Sequence, residues 1–477
     1  MSPRLALPLL LVLGGCSLAP DLPDPAKDTP AAWKETPAQV TGDWKVAMPA
    51  DDAARGRWWT VFRDPVLDDL IERASAGNQN LQAALARLEQ SRAQVRVASA
   101  QRLPRVDLGV GASRIQPSAV ILDSFGGGGP ETLEDYTQIS TRLSASYELD
   151  LFGRVRDSVK AAEADFGAQR ALYESLSLSL QGDVAQTYFL IRATDEELRV
   201  LREGIKLRED ALAVVTARVA AGDTDDFDLE RSRTDLETAR AEIEAVLRSR
   251  AAYEHALAVL CGATPAAFSL AEAPATRTLP EIPPGLPSSL LERRPDVAAA
   301  ERRMIAANAR IGVAKAAFYP LINLTANFGV ESGGVGELFK WSSRTWALGP
   351  IAGPLLSLPI FDGGRNKANL ASAEASLDAE VAVYRQTVLD AFVEVEDSLS
   401  GLRTLASQRA ALTRALDSAQ AASTIAEARF EAGATGLLEV LDARRSLLAT
   451  QRLGVQTDGA RAATTVALVR ALGGGWQ

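Results

Sequence analysis

The chain has 477 residues, of which 47% are apolar, 23% charged and only 6% aromatic. Those fractions exclude wholesale disorder, and a formal net charge of −10 excludes a general nucleic-acid binder. A single histidine, His255, leaves no material for a histidine-ligated metal or a His-based catalytic centre, so the sequence predicts neither a cofactor nor an enzyme. Residues 1–15 read as a secretory signal: Arg4, an apolar run from Leu5 to Leu13, then small residues, too short to cross a bilayer.

Leu13-Gly14-Gly15-Cys16 resembles the bacterial lipobox. The resemblance implies cleavage before Cys16 and lipidation of that cysteine, and Ser17 behind it favours sorting to the outer membrane. Residues 16–60 then read as an extended tether, since four prolines between Leu18 and Trp33 preclude one regular helix. No later stretch is apolar for the 18 or so residues a membrane helix needs, so any spanning falls to strands.

Four segments alternate with the period of a strand, each near the 9 to 11 residues of a tilted transmembrane strand. Val106, Leu108, Val110 and Ala112 alternate with Asp107, Gly109, Gly111 and Ser113. From Ile139 to Leu149 the alternation is faultless, and Ile322, Leu324, Ala326, Phe328 and Val330 give the third. The fourth, from about Trp346 to Leu358, is weakened by Pro350 and Pro354, which remove ladder donors.

Proline-free stretches predict very long helices, from Gly153 to about Ala220 and from about Asn366 to Glu431, with apolar residues at 3,4 spacing. At about 1.5 Å per residue each would be a rod of roughly 100 Å. Shorter helices are predicted at about Asp226 to Cys261 and Leu437 to Leu472, after turns in which Gly222 and Gly433 supply left-handed caps. Further helices are predicted from about Asn78 to Arg102 and from Ser288 to Phe318.

The chain repeats itself. Ala217-Arg218-Val219-Ala220-Ala221-Gly222-Asp223-Thr224 matches Ala428-Arg429-Phe430-Glu431-Ala432-Gly433-Ala434-Thr435 at an offset of 211, the difference between Gly433 and Gly222. Phe152-Gly153-Arg154 matches Phe361-Asp362-Gly363-Gly364-Arg365. This predicts repeat 1 at 61–262, a linker at 263–287, repeat 2 at 288–473 and a tail at 474–477, each repeat ordered helix, strand, strand, long helix, helix. Four strands cannot close a barrel alone, for about eight is the smallest closed number. A dimer would supply eight and a trimer twelve with an open lumen, so the geometry favours the trimer.

Trp58-Trp59, Phe62-Arg63-Asp64-Pro65, Tyr147-Glu148-Leu149-Asp150-Leu151-Phe152-Gly153-Arg154 and Leu290-Leu291-Glu292-Arg293-Arg294-Pro295-Asp296-Val297 resemble the signature stretches of TolC-type outer-membrane efflux channels. With the lipobox, they are most similar to the NodT-type lipoprotein branch that serves RND pumps. The resemblance implies an α+β membrane protein: a homotrimer whose twelve-stranded outer-membrane barrel continues as a long periplasmic α-helical barrel. It implies a passive exit duct for drugs or other small molecules, docked on a periplasmic adaptor and energised by an inner-membrane RND pump. The alternatives are an exit channel for type I-like protein secretion and a structural coiled-coil lipoprotein without a pore, against which the alternation from Ile139 to Leu149 argues.

The resemblance also assigns sites. Gly222, Thr224, Gly433, Ala434 and Thr435 would form the periplasmic tip that meets the adaptor, and Cys16 would carry lipid. Phe227, Asp228, Arg231, Leu438, Glu439 and Asp442 would constrict the periplasmic entrance. Arg231 stands where the second copy has Asp442, which favours an Asp442–Arg231 latch over a six-fold acidic ring; the alternative is that Asp442 pairs with Arg445 at i+3. His255 and Cys261 are six apart on one helix and do not share a face. Gly126 to Gly129 lacks the lysine of a phosphate loop and reads as a surface loop, and Trp341 and Trp346 are candidates for an interfacial aromatic belt.

Overall fold

The computed structural model describes residues 17–22, 33–35, 56–116, 135–274, 279–280, 293–348 and 355–474. Cys16, Gly126 to Gly129, Pro350 and Pro354 lie outside them. In chain order the elements are α1 (Pro65–Gly77), α2 (Gln79–Ala100), β1 (Arg105–Ile115), β2 (Tyr136–Leu149), α3 (Arg154–Ala221), α4 (Asp226–Leu260), α5 (Pro295–Ala316), β3 (Leu321–Ser332), β4 (Arg344–Leu348), β5 (Leu356–Ser357), α6 (Arg365–Glu431) and α7 (Leu437–Ala471). The fold is helix-rich α+β. Two compact units divide it: one takes 1–24, 89–168 and 301–383, the other 25–88, 169–300 and 384–477.

The first unit carries the sheet, an antiparallel meander in the order β1-β2-β3-β4, with β5 also on β3. The anticipated fourth strand is present as the two short pieces β4 and β5, separated by a stretch that contains both prolines. Register explains the alternation in the sequence. Leu108 faces Leu143, Leu143 faces Phe328 and Phe328 faces Trp346, so one apolar row crosses the sheet, and all four side chains are exposed. The neighbouring row runs Gly109, Arg142, Gly329, Thr345 and points to the opposite, polar face.

Glycine in that polar row is a matter of space. A Cβ on Gly329 would lie 2.3 Å from the Thr141 carbonyl oxygen and 2.9 Å from Arg142 Cα, both backbone atoms that can yield only if the strands part. Gly329→Ala should therefore destabilise the sheet by about 1–3 kcal/mol, the usual cost of overpacking. Thermal unfolding of the purified protein, followed by circular dichroism, should show a lower midpoint; an unchanged midpoint would mean the strands relax freely.

Strands pass into helices through caps. Asp150 accepts from the backbone N–H of Val155 and Arg156 at 3.0 and 2.9 Å, and Asp362 from Gly364 and Asn366, both at 2.9 Å. The bond from the Asn366 N–H, joined by that from Gly364, holds the Asp362 carboxyl below its ordinary range. Phe152 stacks on Tyr319 with ring centroids 4.7 Å apart, joining the end of the first strand pair to the start of β3. Below them Met304, Ala307, Ile311 and Leu377 pack α5 on α6.

The second unit is helical. Its largest core gathers Trp58, Trp59, Phe62, Leu67, Ile71, Tyr188, Phe189, Leu257 and Val466. The sequence pattern places Trp58 and Trp59 in the tether and predicts no helix over 65–77. Instead a 3₁₀ turn at Trp58–Phe62 leads into α1, which Asp64 caps and Pro65 starts. Asp64 also accepts from the Tyr188 hydroxyl at 2.6 Å; burial first, then this bond, pushes the Tyr188 phenol up to about 12. Trp33 is likewise a core residue, set edge-on to Phe392 among Val297, Ala300, Tyr384 and Ala391. Glu396 accepts the backbone N–H groups of Lys34 and Glu35 at 2.6 and 3.1 Å, so this part of the tether is docked. α3 and α6 run 68 and 67 residues, α4 and α7 35 each. Among the described residues no helix is long and apolar enough to cross a membrane.

Candidate functional site

The turns that end the long helices are built alike. After α3, Gly222 at φ +78° lets its N–H donate to Val219 O at 2.9 Å and that of Asp223 to Arg218 O at 2.9 Å. After α6, Gly433 at φ +71° repeats this with Phe430 O at 2.9 Å and Arg429 O at 2.8 Å. No side chain fills the space around either glycine, so the positive φ, not crowding, demands it. The Arg218 guanidinium lies 4.5 Å above the Phe430 ring, which brings the ends of α3 and α6 side by side.

The next residues differ between the turns. Asp225 caps α4, accepting from the Asp228 N–H at 3.3 Å, and the Thr224 hydroxyl donates to Asp228 Oδ2 at 2.7 Å. At the matching place α7 begins after Gly436 with no side-chain cap, and the buried Thr435 hydroxyl has no partner among the described residues. Phe227 and Leu438, equivalent by the offset of 211, are both exposed, at 68% and 44%. Glu439 is exposed in the first turn of α7, and Ala434 at the turn itself.

Within the chain Asp442 meets Arg445 at 3.7 Å, the i+3 pair, and the half-buried Arg231 is not its partner. Arg445 is more closely engaged by Asp235, to which its Nε donates at 2.8 Å, while the Arg208 Nε donates to the other Asp235 oxygen at 2.9 Å. Asp235 is buried, so two guanidiniums around one carboxylate form a tie among α3, α4 and α7. Arg444 continues the ties to Glu427 at 2.8 Å, and Arg452 to Glu197 at 3.0 Å and Glu242 at 2.9 Å. Asp235 does not stand out in the sequence, because acids and arginines alternate along all these helices; Arg208 does, as the one polar residue that interrupts the apolar 3,4 spacing near the end of α3.

Cys261 and His255 do not meet in a reactive pair. The thiol is buried against the Leu70 carbonyl, 3.7 Å away, and burial pushes its pKa up, while His255 is exposed. Among the described residues no cluster of His, Cys, Asp and Glu has the arrangement of a metal site.

A sheet apolar on one face and polar on the other, joined to helices of nearly 70 residues that end in paired turns, defines a channel-forming subunit of the outer-membrane type. The chain belongs to the outer membrane efflux protein family, whose signature matches residues 70–263 and 286–474. It is 37% identical over 473 residues to the outer membrane protein OprJ of Pseudomonas aeruginosa, covering 99% of this chain and 95% of that one. It is 33% identical over 486 residues to the cation efflux system protein CusC of Escherichia coli O6:H1, with both chains covered completely. Among solved structures, the CmeC outer membrane channel of Campylobacter jejuni superposes with a TM-score of 0.87 at 25% identity, over 97% of this chain and 96% of that one. The protein is an outer-membrane protein and serves as the exit duct of an efflux system.

Proposed function

We propose that three copies of this chain close one barrel of twelve strands and that their long helices continue it as a periplasmic tunnel, through which drugs or other small molecules pass passively. The observation that carries this is the sheet: its apolar row is exposed, and its outer strands, β1 on one side and β4 with β5 on the other, are edges among the described residues of one chain. Both edges are satisfied when β1 of one protomer pairs with β4 of the next, and the exposed apolar face then meets lipid. The two halves, 61–262 and 288–473, act as structural repeats joined by the 263–287 linker, with 474–477 as a tail. Purified protein in planar bilayers should give stable single-channel steps and sediment as a trimer. Intact trimers without conductance would overturn the duct.

The tip formed by Gly222, Thr224, Gly433, Ala434 and Thr435 docks on a periplasmic adaptor, itself attached to an inner-membrane RND pump; the exposure of Gly222, Gly433 and Ala434 supports this. Phe227, Asp228, Arg231, Leu438, Glu439 and Asp442 surround the tunnel entrance and gate it. After removal of 1–15, Cys16 anchors the chain to lipid, several acyl chains at about 0.8 kcal/mol per buried CH₂ making the attachment permanent. Cys16→Ser should abolish incorporation of radiolabelled palmitate while leaving some barrel inserted, since strands and lipid are separate anchors. Label retained in Cys16→Ser would sink the lipid assignment.

A further inference from the structure

The residues just behind Cys16 are held, not loose. In the sheet-bearing unit the Ser17 hydroxyl donates to Asp157 Oδ1 at 2.7 Å and accepts from the Ala19 N–H at 3.2 Å. Three residues after Ser17, the Pro20 carbonyl accepts from Asn308 Nδ2 at 2.8 Å. Asp157 stands in the first turn of α3, and Asn308 and Gly312 are one turn apart on α5.

These groups are built for an occupant. Asp157 and Asn308 are 1% and 3% exposed, and each keeps a second buried oxygen, Asp157 Oδ2 and Asn308 Oδ1, with no hydrogen-bond partner among the described residues. Burying a carboxylate beside an amide is unfavourable unless donors come to meet them. Gly312 supplies the room: a Cβ there would lie 2.1 Å from Asp157 Oδ2 and 3.0 Å from the Ala19 nitrogen, so any other residue displaces the carboxylate or the segment.

We infer that Asp157, Asn308 and Gly312 form a socket for the amino terminus of the mature chain, gripping Ser17 to Pro20 through the Ser17 hydroxyl and the Pro20 carbonyl. One consequence rests on the lipidation of Cys16 proposed above. Consecutive Cα atoms are about 3.8 Å apart, so Ser17, held at the first turn of α3 shortly after the chain leaves β2, limits where an acyl chain on the preceding residue can begin. The socket thereby fixes the height at which the lipid departs from the protein, at the handover from strand to helix.

A photoreactive residue replacing Leu18 in the full-length trimer tests this. Crosslinks should map to α5 around Asn308–Gly312 and to the first turn of α3. Gly312→Val, which fills the cleft, and Ser17→Ala, which removes the hydroxyl from the segment side, should each cut the yield at least tenfold. Full yield in Ser17→Ala would overturn the socket, and that variant decides alone if Gly312→Val does not assemble. Palmitate labelling of the same samples separates the two readings: crosslinked but unlabelled protein with Ser17 and Gly312 intact refutes the lipid anchor and keeps the socket, whereas labelled protein without the crosslink refutes the socket only.

Discussion

Replacing Asp195 with alanine is expected to cost about 3–5 kcal/mol, the usual penalty for removing one partner of a buried ion pair. Asp195 is 2% exposed and lies between two arginines. Its Oδ2 accepts from Arg192 Nη1 at 2.8 Å and from the Ala273 N–H at 3.2 Å, and its Oδ1 from Arg250 Nε at 2.6 Å. The same arginines hold the chain that follows α4: Arg192 donates to Ala271 O at 2.8 Å and Arg250 to Leu270 O at 2.7 Å. Burial works against the charge of Arg250, but the bonds and charges of Asp195 and Glu254 outweigh it and hold its pKa above the ordinary value. Without Asp195 the buried Arg192 loses its carboxylate and keeps the Ala271 carbonyl, while Arg250 keeps Glu254 and the Leu270 carbonyl. Unfolding of the variant in detergent should show the loss, and amide exchange across 268–273 should rise with it. Unchanged stability together with unchanged exchange would mean that the arginines find other acceptors at no cost.

The sequence disclosed what depends on local period and missed what depends on distant contacts. α3 and α6 begin and end within one residue of expectation, because a proline-free 3,4 spacing and a glycine cap are local facts. β2 begins at Tyr136, three residues before the faultless alternation, since pairing with β1 extends a strand beyond its apolar pattern. Trp33 was expected in an extended tether, yet it is a core residue, and the Glu396 carboxylate that fixes the adjoining backbone is more than 360 residues away in sequence. No window of sequence contains that pairing. Asp195 and Asp235 were hidden for a related reason: on helices rich in Asp, Glu and Arg, only packing distinguishes a buried acid from its solvated neighbours.

At the proposed gate, Asp442→Ala combined with Leu438→Ala is expected to raise single-channel conductance at least twofold and to sensitise cells to large antibiotics. Stability should barely change. The Asp442 side chain is 60% exposed and its i+3 pair with Arg445 is worth only about 0.3–0.5 kcal/mol. Arg445 keeps its bonds to the buried Asp235 when Asp442 is gone, so the tie among α3, α4 and α7 persists. What the double variant removes is an acid and an apolar side chain that three protomers would present around one axis. Unchanged conductance in a correctly assembled double variant would take both residues out of the gate. The partner of Asp442 can be settled with one more change. Arg231 does not reach Asp442 within the chain, so a latch between them must run from one protomer to the next. In that case Arg231→Ala alone should raise conductance as Asp442→Ala does; if Arg445 is the operative partner, Arg231→Ala should leave conductance where it was.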